Sequence, residues 1–275
     1  MPPSYPLVRN QTKESIAKFF LSFGHVFKVF LIIVICITYG NRKLIGKATI
    51  LLFFSMIYNT LLKQIFKVPL YPHLGEGYAF PSGHMHAFGL FYGYFFIHSK
   101  NPVFKVFTSI IIVGISISLV YMRYHHAFDV FGAVVFFVVE LFIDDYIVHN
   151  YGEKIDLLVI LSICVISTFG LFLEMHEIQF HIWLALYGMV GIILAFFVIK
   201  NSGYQNFLQK SLSLAITLTL NKFLTDFWKR CDFKRSYVSQ LIYLFVPLII
   251  IGALKVCQRV SLPRTFFDDW PIFRN

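Results

Sequence analysis

Charge is scarce in this sequence: only 14% of its 275 residues are Asp, Glu, Lys or Arg, where a soluble domain carries about 25%. That shortage excludes an ordinary soluble globular fold, and a mean hydropathy of +0.70 agrees. Cysteine is sparse as well. The four residues Cys36, Cys164, Cys231 and Cys257 form no Cys-x-x-Cys pair, so neither a disulfide framework nor a zinc site follows. The strict apolar–polar alternation of a membrane β-barrel is missing. The net charge of +10 is spread between apolar stretches and gathers into no basic face, so nucleic acid is not an expected partner. Those cations read instead as anchors to the anionic headgroups of membrane lipids.

What the chain does have is long apolar runs, with 57% hydrophobic and 19% aromatic residues. They recur at 20–40, 44–66, 84–98, 103–122, 127–148, 155–174, 178–200, 206–226 and 237–257. Most are long enough to cross a hydrocarbon layer of about 30 Å as a helix. The expected fold is therefore all-α: a polytopic transmembrane helical bundle of about nine helices. Residues 1–18 read as a polar or interfacial segment, 19–150 as a core of five membrane helices, 151–260 as further membrane helices of unknown role, and 261–275 as a cytoplasmic tail. No cleavable signal is expected, because the first apolar run reads as a retained helix.

Alternating helices divide the loops between two sides. Arg42, Lys43, Lys47, Lys100, Lys105, Lys154 and the basic C-terminal residues fall on one of them, which marks it as cytoplasmic. The loop 67–83 and the turn 123–128 then face away from the cytosol.

Those two segments hold the polar clusters. Ionisable groups at helix mouths in a membrane protein are costly, which makes them functional candidates. Pro81-Ser82-Gly83-His84 has the pattern of a helix start: a rigid lead-in, a capping hydroxyl, and a glycine that lets the backbone approach a ligand. The unpaired N–H groups and positive dipole end of such a start suit an anion, phosphate above all. His125 and Asp129 are spaced to share one helical face. A carboxylate on one ring nitrogen leaves the other as a directed lone pair, suited to nucleophilic attack or proton transfer. His84 can then protonate a leaving oxygen. His86 reads as a pocket-lining or structural histidine, His126 as interfacial, and Tyr71 as a headgroup-level belt residue.

These residues carry a resemblance. Pro81 to His84, followed by Ser118, His125 and Asp129 with the flanking Val120, Tyr121 and Val130, is similar to the motifs of the type 2 phosphatidic acid phosphatases, relatives of vanadium haloperoxidases and glucose-6-phosphatase. The likeness covers roughly residues 55–140. It implies a catalytic core in the 19–150 segment that hydrolyses a lipid phosphate monoester or diphosphate, with the site on the periplasmic side of a bacterial inner membrane. It implies His125 as the nucleophile that forms a phosphohistidine, Asp129 as its orienting carboxylate, and His84 as proton donor to the departing alcohol. Lys63, Ser82 and Gly83 would hold the phosphoryl oxygens, and no metal or other cofactor would be required.

The pattern departs from the family at two cationic positions. Leu70-Tyr71 stands where the family has Arg-Pro, and Leu119 where it has Arg. If the helix continues past Leu119, Arg123 one turn on can cover the vacant spot, and Lys67 can serve likewise for Leu70. The alternative implied by fewer cations is a headgroup transferase of the sphingomyelin or inositol phosphorylceramide synthase type. A catalytically inactive membrane protein is the third possibility. The sequence gives no oligomeric state.

Overall fold

The computed structural model describes residues 11–175, 178–198, 207–230 and 242–259. The 261–275 tail and Cys231 lie outside the described residues. Ten α-helices make up the described chain: α1 (Gln11–Leu21), α2 (Val26–Tyr39), α3 (Arg42–Phe66), α4 (Gly83–His98), α5 (Pro102–Tyr121), α6 (Ala127–Tyr151), α7 (Glu153–Glu174), α8 (Phe180–Val198), α9 (Phe207–Arg230) and α10 (Ile242–Gln258). The starts of α3 and α5 follow from local chemistry. Asn41 Oδ1 accepts from the Lys43 and Leu44 amides, and Asn101 Oδ1 from those of Val103 and Phe104, so orphan donors of the first turn are satisfied. Pro102 adds a preset φ at the first position of α5.

Among the described residues three helices, α3, α5 and α7, are long and apolar enough to cross a membrane, and the bent pair α1–α2 makes a fourth if counted as one span. The apolar run 20–40 is thus not one straight helix. The Ser22 hydroxyl donates to the Phe19 carbonyl at 2.7 Å, a 3₁₀ turn covers Ser22–Gly24, and His25 is extended. The two pieces meet at 54°. A side chain on Gly24 would strike the Phe88 ring, so the bend is packed against α4. The run at 84–98 gives a helix of 16 residues, and the run at 127–148 carries Glu140, Asp144 and Asp145 within it.

Helix α3 is the hub, packing against α2, α4, α7 and α8, while α4 also packs on α5 and α6. The α4–α6 contact is close because α4 offers a glycine groove. A Cβ on Gly89 would lie 2.2 Å from the Phe137 ring, and one on Gly93 2.9 Å from Leu141. Small residues one turn apart that admit bulky partners are the usual way helices approach closely where hydrophobic driving force is weak.

At the end of α3 away from Lys63, the half-buried Lys47 lies between two carboxylates, 2.7 Å from Asp144 of α6 and in contact with Asp156 of α7. Lys47 is therefore an ion-pair residue between helices and no headgroup anchor.

Candidate functional site

The site assembles where α3 ends and α4 and α6 begin. Between them the chain 67–82 forms a narrow strap, with Leu70 N–H donating to Gly77 O at 3.1 Å and Ala79 N–H to Val68 O at 2.7 Å. The strap delivers Pro81 and Ser82 to the start of α4. There the Ser82 amide donates to the Asp129 carbonyl at 3.0 Å, tying the α4 start to the first turn of α6.

Six of the eight candidate residues come together here. Gly83 and His84 begin α4. A Cβ on Gly83 would lie 3.1 Å from Asn59 Oδ1 and 3.9 Å from Lys63 Nζ, which places the Lys63 ammonium beside the exposed amides of the helix start. His125, in the α5–α6 turn, feels the charges of Lys63, Asp129 and His84. Its Nδ1 lies 3.6 Å from Asp129 Oδ2, facing the carboxylate but beyond a hydrogen bond.

Two details differ from the sequence expectation. His125 precedes α6, so it does not share a helical face with Asp129, and that carboxylate accepts from the His126 amide at 2.8 Å. Ser82 occupies the N-cap position but makes no side-chain cap bond. Its hydroxyl, fully buried, has no hydrogen-bond partner, nor has His125 Nδ1. Of these two atoms, His125 Nδ1 faces the Asp129 carboxylate, whereas the Ser82 hydroxyl at the start of α4 has no such neighbour.

Burial, and after it the nearby Lys63 ammonium, push the His125 imidazole down to about 4, against the opposing pull of Asp129. The ring is neutral at pH 7, with a lone pair to offer.

Arg123 and Lys67 are placed elsewhere. Helix α5 ends at Tyr121 and Arg123 takes a left-handed φ of 58° with an exposed side chain. The continued helix that would bring it over Leu119 does not exist, and Leu119 is a core residue. Lys67 ends α3 in a left-handed conformation and reaches Glu174 at 3.7 Å. Tyr71 is no simple belt residue: its hydroxyl is 2.7 Å from His126 Nδ1 and the two rings, tilted by 33°, have centroids 3.9 Å apart, clasping strap to turn.

Three further groups were not singled out as site residues from sequence. Asn59 lies one turn before Lys63, His86 one residue pair past His84 pairs with Glu140, and His181 of α8 contacts Thr60 at 3.2 Å. Because the Thr60 hydroxyl donates to Met56 O, His181 Nε2 is the donor in that contact. Lone polar residues inside apolar runs were the available signal.

The site opens on a chamber of about 2420 Å³. Lys63, Gly83, His84 and His181 line one end, Lys47 and Asp156 the other, and apolar residues such as Ile50, Phe53, Leu184 and Ile192 the length between. Fold and site together define a protein that is all-helical among its described residues, with membrane-compatible helices and a polar cluster of which Lys63, Gly83 and His84 line an apolar chamber. Comparison with family models, curated proteins and solved structures finds no match to this chain.

Proposed function

We propose that this chain is an integral membrane phosphatase that hydrolyses a lipid phosphate monoester or diphosphate on the extracytoplasmic side through a phosphohistidine intermediate. The observation that carries the reading is the gathering of Lys63, the amide-bearing start of α4 and the His84 and His125 imidazoles, with Lys63, Gly83 and His84 also lining an apolar chamber.

In this mechanism Lys63 and the Gly83–His84 amides bind the phosphoryl oxygens. His125 Nε2 attacks phosphorus while the bond to the alcohol oxygen breaks, and His84 gives that oxygen a proton. An anionic phosphoryl group beside His84 favours its protonated form beforehand. Asp129 faces Nδ1 of the resulting imidazolium. Water, losing its proton to His84, then attacks phosphorus, the P–N bond breaks, and phosphate leaves. The chamber takes the hydrocarbon chain.

The transferase alternative draws on one specific observation: Leu119 is core, and neither Arg123 nor Lys67 reaches the cluster. A diester brings less charge and needs fewer cations. In that reading an alcohol replaces water in the second step.

The test is phosphate release from lipid phosphates by the purified protein in chelator, with vanadate as inhibitor. His125→Ala is expected to lose at least ~10³-fold in kcat, as removal of a nucleophile does. Unchanged turnover in that variant overturns the mechanism. A new phosphodiester formed only when acceptor alcohol is added selects the transferase.

A further inference from the structure

Behind the phosphoryl cluster lies a second buried polar group that the mechanism above does not use. His86 is completely buried, and both of its ring nitrogens are engaged. Nδ1 is 3.2 Å from Asn59 Nδ2 and Nε2 is 2.7 Å from Glu140 Oε2.

The directions of these bonds can be worked out. Asn59 Nδ2 also lies 3.3 Å from the Pro81 carbonyl, which only accepts, so the amide nitrogen is the donor there and the flip of Asn59 is fixed. Its second N–H then points to His86 Nδ1, which must be the lone-pair nitrogen. The His86 proton is on Nε2 and is donated to the Glu140 carboxylate. With both N–H groups spent, Asn59 Oδ1 faces the other way, toward Gly83 and the side of Lys63. Three helices contribute, Asn59 from α3, His86 from α4 and Glu140 from α6, and each bond is consistent with only one orientation of the next.

We infer that Glu140, His86 and Asn59 form a buried relay of positioning residues that holds the Pro81–Gly83 backbone and the Lys63 side of the pocket in phosphoryl-binding geometry. The inference rests on the phosphate-binding reading of that pocket. None of the three touches the reacting atoms. Glu140 supplies the acceptor that selects the Nε2–H tautomer of His86, and that tautomer supplies the acceptor that holds the Asn59 amide. Without the carboxylate, the Nε2 proton is orphaned in the interior, which is costly. The ring then relaxes to the Nδ1–H tautomer, two donors confront each other, and Asn59 turns its oxygen away from Gly83 and releases the Pro81 carbonyl.

The experiment compares wild type, Glu140→Leu, Glu140→Gln and Asn59→Leu as full-length protein in detergent. Three things are measured: orthovanadate affinity, KM and kcat for a lipid phosphate, and the ¹⁵N shifts of the His86 ring. Wild type is expected to show the Nε2–H tautomer. Glu140→Leu and Asn59→Leu should each weaken orthovanadate binding and raise KM by about tenfold, the effect of one lost buried hydrogen bond. Glu140→Gln, whose amide oxygen still accepts from Nε2, should stay close to wild type.

Variants that melt earlier yet keep wild-type KM and vanadate affinity would show a purely structural role and overturn the relay. So would an Nδ1–H or doubly protonated His86 in wild type. If wild type binds orthovanadate without turning over substrate, the hydrolase reading fails while the affinity series still decides the relay. If it does neither, both fall.

Discussion

His125 is held neutral by burial, and two charged neighbours that act on it in opposite directions can each be removed. Lys63 pushes its proton off and Asp129 draws it on. Lys63→Met should therefore move the acid limb of kcat/KM upward, toward the ordinary histidine value near 6.5, while Asp129→Asn should move it further down. A pH profile of both variants checks the signs, and a shift of both in the same direction contradicts them. Stability follows the same logic: the unfolded chain binds the His125 proton more readily, so this residue's contribution to the fold declines as pH drops from about 6.5 toward 4. At this scale the sequence was informative about which residue types gather and poor about how they bond. Spacing singled out His84, His125 and Asp129 as candidates. It did not reveal that a turn separates His125 from the helix of Asp129, because a single left-handed residue, Arg123, decides where α5 stops.

Helices were legible as apolar runs, whereas the Asn41 and Asn101 caps that start α3 and α5 emerged only in the structure. Less legible was what breaks or joins them. The bend between α1 and α2 depends on the Phe88 ring filling the space at Gly24, a tertiary contact that no local pattern records. The α4–α6 packing is similar: Gly89 and Gly93 are only two small residues until Phe137 and Leu141 stand opposite. Gly89→Leu should therefore cost about 1–3 kcal/mol through overpacking, seen as a lower melting temperature in detergent. Gly252→Ala in α10, where an added Cβ meets nothing within 4 Å, is the control and should melt like wild type. Equal melting of the two variants would argue against the close α4–α6 approach.

Over the whole molecule, the sequence conveyed helical class and membrane character but not the chamber, since a cavity is made of faces from α2, α3, α8 and α10 that only tertiary structure brings opposite one another. Helices α8 and α10, outside the motif-bearing segment, supply Leu184 and Ile250 to its wall. Leu184→Trp should fill part of it. The expected result is a loss of about tenfold in kcat/KM for a long-chain lipid phosphate, in line with steric exclusion from an apolar pocket, with a short-chain, water-soluble analogue unaffected. Equal losses for both substrates would place the hydrocarbon elsewhere.

Helix α3 bears Lys63 near one terminus and Lys47 near the other, about 24 Å apart at 1.5 Å per residue. Lys47 is clamped by acids from α6 and α7. A stiff rod fastened at one end transmits rather than absorbs a push at the other, so a ligand that displaces the Lys63 end strains the distant clamp.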